Sequence, residues 1–584
     1  MKKYIALLIE LLLYFLLFAY KKVIDFDILS HLIMLILIYI NWSYYFNKSK
    51  KLKYDKIQLL FLIIINLAIS FFVSGKVLFL SNNIVSISFS SILFYLLTNI
   101  FTIQFVHNVY YFLDNATIID NKNHDNSKKF AIRVFLITFI FWFIICLIYY
   151  PGNITSDTSD MISQALGFQS INNAHPAFYT IIVKLLLSIW NNIFIIVLSN
   201  SLFFSIIITY IYKYFYEQKV NEKLLYISLI VFILLENNIA MISMAWKDIP
   251  YTISLLWLTF EIYKIAKYKD NYFKKNFNIF LLCTSLLLTF FIRHNGIVPY
   301  LTVIIYLLYL LFKLKLKPKI IISIIISILS ILFVRGPVYS YYNVQESNIM
   351  TIGPSSFAIK GLASLVYYDK EMDIEDQEVL YSIISKEDYK KYYSPYTMDN
   401  YSYSNIGWYE GIEKVGISKI YELYIKYLFK YPNVIIRDRL DNSNLSWSYA
   451  TPKDGFNTKN SIGVEYPEWV DNFKSFERNE GNKYIPKSTI FRKAISLYQK
   501  VTSKIVISDI IIWRFGFALS ILLILFYLAV RRKLFVIPAF LPTIFSILFW
   551  FAFMMHQDYR YMWFAFVNTY FLTLFTLLDK KRKQ

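Results

Sequence analysis

The chain alternates between apolar runs of bilayer length and short polar joints. The apolar runs fall near residues 4–20, 28–46, 57–73, 84–106 and 130–150, then near 192–213, 222–236, 250–266, 277–293, 297–314 and 319–335. After a long mixed section three more follow, near 508–530, 533–553 and 560–578. The pattern predicts an all-α polytopic membrane protein with about 14 transmembrane helices, because a bilayer core takes roughly 20 apolar residues per helix. One run sets the orientation. Residues 177–190, AFYTIIVKLLLSIW, are apolar but short for a crossing. If they cross, the basic joints after them invert. If they lie on the membrane surface, the later basic joints share the side of both termini, which the positive-inside tendency makes cytoplasmic. The second reading leaves Lys21-Lys22 as the one basic pair outside.

Four parts follow from this reading. Residues 1–129 are N-terminal transmembrane helices, and 130–335 are a membrane core with an outer acidic loop at 151–191. Residues 336–507 make a smaller extracytoplasmic domain of helix and loop, and 508–584 hold the C-terminal helices and a basic cytoplasmic tail. The outer section is rich in Tyr, Ser, Asn, Asp and Lys, with Trp408, Trp447 and Trp469 as core material. Its stretch 417–440 has helical periodicity, interrupted by Pro432. The start, Met1-Lys2-Lys3 before an apolar run, imitates a signal peptide but reads as a retained first helix, since no small-residue cleavage site follows.

Composition sharpens the picture. The net charge of +21 does not point to nucleic acid, because the cations cluster in joints near 48–56, 264–275, 313–319, 531–533 and 580–583. Cys146 and Cys283 both fall inside predicted spans and support neither a disulfide framework nor a metal site. No GxxxxGK[ST], strand-borne GxGxxG or HExxH pattern occurs.

Candidate chemistry gathers at the predicted outer ends of spans. From Arg133 to Lys184 there is no Lys or Arg, yet the loop holds Asp157 and Asp160 three residues apart. On a short helix starting near Ser156 both carboxylates share a face. Taken alone they read first as an N-cap and a dipole partner; the functional readings are a general base for a hydroxyl and, on the weaker signal of only two carboxylates, a shared divalent cation. His175-Pro176 closes the loop, as a loop-end residue or a pocket residue. Lys247 and Asp248 follow Trp246, either as a snorkelling pair or as a cation for phosphate. Arg293, His294, Asn295 and Gly296 join two spans with almost no loop, a shape suited to a phosphate clamp. His556, Asp558, Arg560 and Tyr561 make a dense polar turn late in the chain, and Arg335 ends another span.

In their order and common side, these motifs resemble the GT-C superfamily of polytopic glycosyltransferases, which includes protein mannosyltransferases and aminoarabinose transferases. The motifs are Tyr150-Pro151-Gly152 with Asp157 and Asp160, His175-Pro176, Trp246-Lys247-Asp248, Arg293-His294-Asn295-Gly296 and Asp558-Tyr559-Arg560-Tyr561. The resemblance covers roughly 130–580 and departs in the four early spans and the late inserted section. It implies an inverting transfer of a sugar from a polyprenyl-phosphate donor to an extracytoplasmic glycan, lipid or protein acceptor. Asp157 and Asp160 would be catalytic, and Lys247, Arg293 and Arg560 would bind the donor phosphate. His175, Asp248, His294, Asn295, Asp558 and Tyr561 would line the pocket, with no cofactor beyond an optional divalent cation on the two acids. Rival readings are a transporter or flippase for lipid-linked oligosaccharide, a polymerase or ligase of surface polysaccharide, and a membrane scaffold. A transporter should carry charges deep within several spans, and the predicted spans have few at their centres.

Overall fold

A computed structural model describes residues 2–48, 55–80, 85–120, 126–347, 353–402, 404–449, 489–503 and 505–580. Trp469 and the tail at 581–583 lie outside the described residues. Among the described residues the protein is helical, with isolated bridges and no strand. Among the described residues each apolar run is helical over most of its length. Eight are long and apolar enough to cross a bilayer, or up to ten if two bent pairs each count as one span. The pairs are Glu222–Leu234 with Glu236–Ile242, bent by 63°, and Val506–Trp513 with Phe515–Arg531, bent by 56°. The protein is therefore a multi-pass membrane protein by length and composition. Asn276–Ile292, Ile537–Phe553 and Trp563–Lys580 are shorter apolar helices, and Asp248–Tyr268 carries Asp248, Glu261, Lys264 and Lys267.

Local signals explain the helix starts. Asp55 caps Lys56–Phe79 through a capping box with Gln58. Asp27, Ser88, Asn126 and Asn221 accept from backbone N–H groups in the first turns of their helices. Pro432 separates Ile417–Lys430 from Pro432–Asn442 by opening the second helix, the position where its missing N–H costs nothing.

Asp248–Tyr268 is the central helix, buried continuously from Asp248 to Ile265. It packs against Phe194–Glu217, Asn276–Ile292, Ile537–Phe553 and Trp563–Lys580. The peripheral helices expose apolar side chains such as Leu8, Ile36 and Leu329, as expected where hydrocarbon is the solvent.

Residues 353–449 have a core of their own, including Leu362, Leu380, Tyr389, Trp408, Leu423 and Tyr427. This unit is bound to the membrane helices through Tyr396, Met398 and the segment Arg439 to Asn442. Lys76, near the end of Lys56–Phe79, donates to Asp441 at 2.5 Å and to Tyr396 at 2.8 Å. Arg439 donates to the carbonyls of Ala552 and Met554, Asn442 donates to Met554, and Met398 N–H donates to the Met555 carbonyl. The unit thus grips the segment immediately before Asp558–Tyr561.

Candidate functional site

The site is built on two short segments laid side by side. Asn153 N–H donates to the Ser243 carbonyl and Ala245 N–H donates to the Asn153 carbonyl, both at 2.9 Å. Gly152 sits at φ +119°, and a Cβ there would lie 2.8 Å from Val197 Cγ1, so both backbone and space require glycine. Trp246 Nε1 donates to Thr155 Oγ1 at 2.7 Å. Thr155, not Ser156 or Asp157, holds the N-cap position of Ser156–Ala165, and it makes no side-chain cap. The Asp157 carboxylate is turned away from the backbone of its own helix.

It turns to cations from two distant segments. Asp157 Oδ2 lies 3.2 Å from Lys247 Nζ and 3.0 Å from Arg560 Nη1. Arg560 Nε is 2.7 Å from Asp558 Oδ2. Neither Arg560 N–H points along its contact, so both are ion pairs without directed hydrogen bonds, and the donors are unspent. Lys247 Nζ is also 3.2 Å from His175 Nδ1, and His175 Nε2 is 3.8 Å from Asp160 Oδ2. Asp160 accepts from Gln164 at 2.8 Å. The acids are about one-fifth exposed, while Lys247 and Arg560 are less than one-tenth exposed. Acids and His175 form a rim with the cations behind them.

These placements set the protonation states. Burial raises the Asp157 carboxyl, but Arg560, Lys247 and His175 outweigh it and hold the group well below its usual range. Asp160 is raised, chiefly by burial and also by Asp157, against the Gln164 hydrogen bond. Burial lowers Lys247 to about 8, with Arg560 and Arg293 adding to it against Asp157. Burial and Lys247 bring His175 down to about 3, so it is neutral at physiological pH.

A second layer stands behind. Arg293 pairs with Asp248, and its guanidinium lies 5.0 Å from the Trp550 ring, 4.9 Å from Tyr561 and 5.8 Å from Tyr251. Arg560 lies over Tyr561 at 5.1 Å and over Trp246 at 4.9 Å. Arg293 therefore meets Asp248 and aromatic rings rather than the rim. Asn295 reaches the Tyr251 hydroxyl at 3.5 Å, and the buried His294 Nε2 has no hydrogen-bond partner among the described residues. Gly296 has φ −60°, so its reason is space: a Cβ would lie 1.8 Å from the Thr289 carbonyl oxygen. Arg335 is exposed over the Phe290 ring and stands apart from the ion-pair cluster.

Asp157, Asp160, His175, Lys247, Asp558 and Arg560 thus meet directly, with Asp248, Arg293, His294, Asn295 and Tyr561 around them. Sequence reasoning missed Trp550 and Tyr251, which carry no signal within apolar runs. It also missed Gln164, which the i,i+4 spacing from Asp160 would have found. His556 joins Tyr561 at 2.5 Å and Asp399 at 3.3 Å, linking the 353–449 unit to the site. The donor set does not fit a dication, because Asp157 already sits between two cations and Asp160 alone remains. Among the described residues no group of three or more His, Cys, Asp or Glu is set to hold a metal. Two acids qualify the expectation of uncharged span centres: Glu10 lies mid-helix near the N-terminus, and Glu261 is fully buried, accepting from Tyr210, Trp257 and Tyr272 and pairing with Lys264. Compared with protein-family models, curated proteins and solved structures, the chain matches none.

Proposed function

We propose that the protein is a membrane glycosyltransferase of GT-C type, taking a sugar from a polyprenyl-phosphate donor to an extracytoplasmic acceptor with inversion. The observation that carries the reading is the single carboxylate oxygen of Asp157 between Lys247 and Arg560, at a partly open rim. A phosphate entering there competes with Asp157 for both cations. Once they turn to the phosphate, the carboxylate loses the partners that suppress its basicity and can take the acceptor's hydroxyl proton. The acceptor oxygen then attacks the anomeric carbon, the sugar–phosphate C–O bond breaks, and the electron pair leaves on polyprenyl phosphate. Lys247 and Arg560 stabilise that charge. Asp160, His175 and Asp558 line the rim, and Arg293 with Tyr561 supports Arg560 from behind. In this reading about 14 helices cross the membrane, both termini are cytoplasmic and the cluster faces outward.

The test is Asp157→Asn in a strain lacking the native copy, with surface glycan as readout. Loss of glycan at normal protein abundance is expected. Normal glycan would remove Asp157 as the base.

A further inference from the structure

The N-terminal helices contribute nothing to the Asp157 cluster, yet they enclose a cavity of about 600 Å³ walled by residues such as Phe18, Phe26, Ile38, Phe101, Phe105 and Ile510. On Phe89–Asn115 the lining runs from Phe101 to Leu113. That is about 18 Å of helix rise, somewhat more than half of a bilayer core of about 30 Å. Glu10, Asn41 and Asn108 supply polar groups to the lining. Asn108 donates to Asn41 Oδ1 at 2.7 Å, and the Gln104 amide faces the Glu10 carboxylate. The polar groups are taken up by one another, and the remaining walls offer little to hold water. Hydrocarbon is the natural filling.

The other end carries charge. Lys21 and Lys22 lie between Phe18 and Ile24, both of which line the cavity. Lys21 Nζ is 5.4 Å from the Phe94 ring. Lys22 is 61% exposed and 3.9 Å from Asp25, too distant for a firm pair. This is the basic pair that the positive-inside reading left unexplained. The geometry points to an anionic diacyl phospholipid as resident ligand, with its headgroup at Lys21-Lys22 and one acyl chain in the cavity. A sugar donor is not the occupant, because its phosphate must reach Lys247 and Arg560, and neither residue lines this cavity. The lipid has a route to the site all the same. Ile510 and Ile511 line the cavity, and Trp513 packs on Tyr559 at 4.8 Å, next to Arg560. The inference holds whether or not Asp157 transfers a sugar.

The experiment is native mass spectrometry of the full chain in mild detergent, after exchange into phosphatidylglycerol or phosphatidylcholine. Wild type should retain one phosphatidylglycerol and prefer it about tenfold. Lys21→Gln with Lys22→Gln should abolish the preference while a lipid is still retained. Val109→Trp, which puts an indole into the cavity and narrows it, should weaken retention. Equal retention of the two lipids by wild type would overturn the proposal. So would an unchanged preference in the double variant, or undecaprenyl phosphate displacing phosphatidylglycerol from wild type one for one. If Val109→Trp fails to fold, the headgroup comparison on wild type and the surface double variant decides.

Discussion

Replacing Asp157 by Asn should stop catalysis and tighten phosphate binding at the same time. The carboxylate is 3.2 Å from Lys247 and 3.0 Å from Arg560, so an incoming phosphate must displace it from both. A unit pair at 3 Å is worth about 5 kcal/mol at an effective dielectric of about 20. Asp157 is 21% exposed, and desolvation opposes pairing, so only part of that is recovered on removing the competitor. A recovery of about a quarter corresponds to roughly tenfold in affinity. The same change leaves Lys247 with His175 and Arg560 with Asp558, so the expected stability loss is about 1–2 kcal/mol rather than the 3–5 typical of an orphaned buried charge. The assay is isothermal titration of farnesyl phosphate into detergent-solubilised protein, beside a thermal melt. Binding that is weaker than wild type, in a variant melting within a few degrees of it, would refute the view that Asp157 and the donor phosphate share the same cations.

Three other outcomes follow from the same geometry. Farnesyl phosphate affinity should fall as pH rises through about 8, because Lys247 gives up its proton there, and Lys247→Arg should remove that step. Over the range from about 8 to 10.5 the unfolded chain holds this proton more tightly than the folded one, so the contribution of Lys247 to stability rises with pH while binding falls. Gly296→Ala should lower stability by about 3 kcal/mol in a melt and displace Arg293, because the new methyl meets the Thr289 carbonyl. Trp550→Ala should cost about 3–5 kcal/mol by the same measure, since Trp550 is buried, stacks on Tyr561 at 4.6 Å and lies under Arg293.

The helices were legible in the sequence because apolar runs of bilayer length have few alternatives, and Asp, Asn and Ser at the joints mark their starts. The split at Pro432 was legible for the same local reason. Grouping the polar motifs on one side depended on counting crossings, and the structure brings Asp157, Lys247 and Arg560 into direct contact. What stayed hidden is tertiary. That Asp157 would prefer two cations to its own helix start depends on segments 90 and more residues away. The backing by Trp550 and Tyr251 leaves no trace in composition, since each is one aromatic among many. The need for glycine at 296 was also hidden: its backbone angles are ordinary, and only the packing shows that a Cβ would meet the Thr289 carbonyl.

The contact between Asp157 and Arg560 also sets a schedule for biogenesis. Asp157 and Lys247 emerge from the ribosome within the first half of the chain, whereas Arg560 comes about four hundred residues after Asp157. At roughly 5–20 residues per second, the wait is about 20–80 s. During that interval Lys247 is the cation available to hold the carboxylate, and the gap beside it stays open until the last two helices insert. A chain cut before them leaves Asp157 paired with Lys247 alone, so the late segment brings Arg560 and Asp558 together to an ion pair that has already formed.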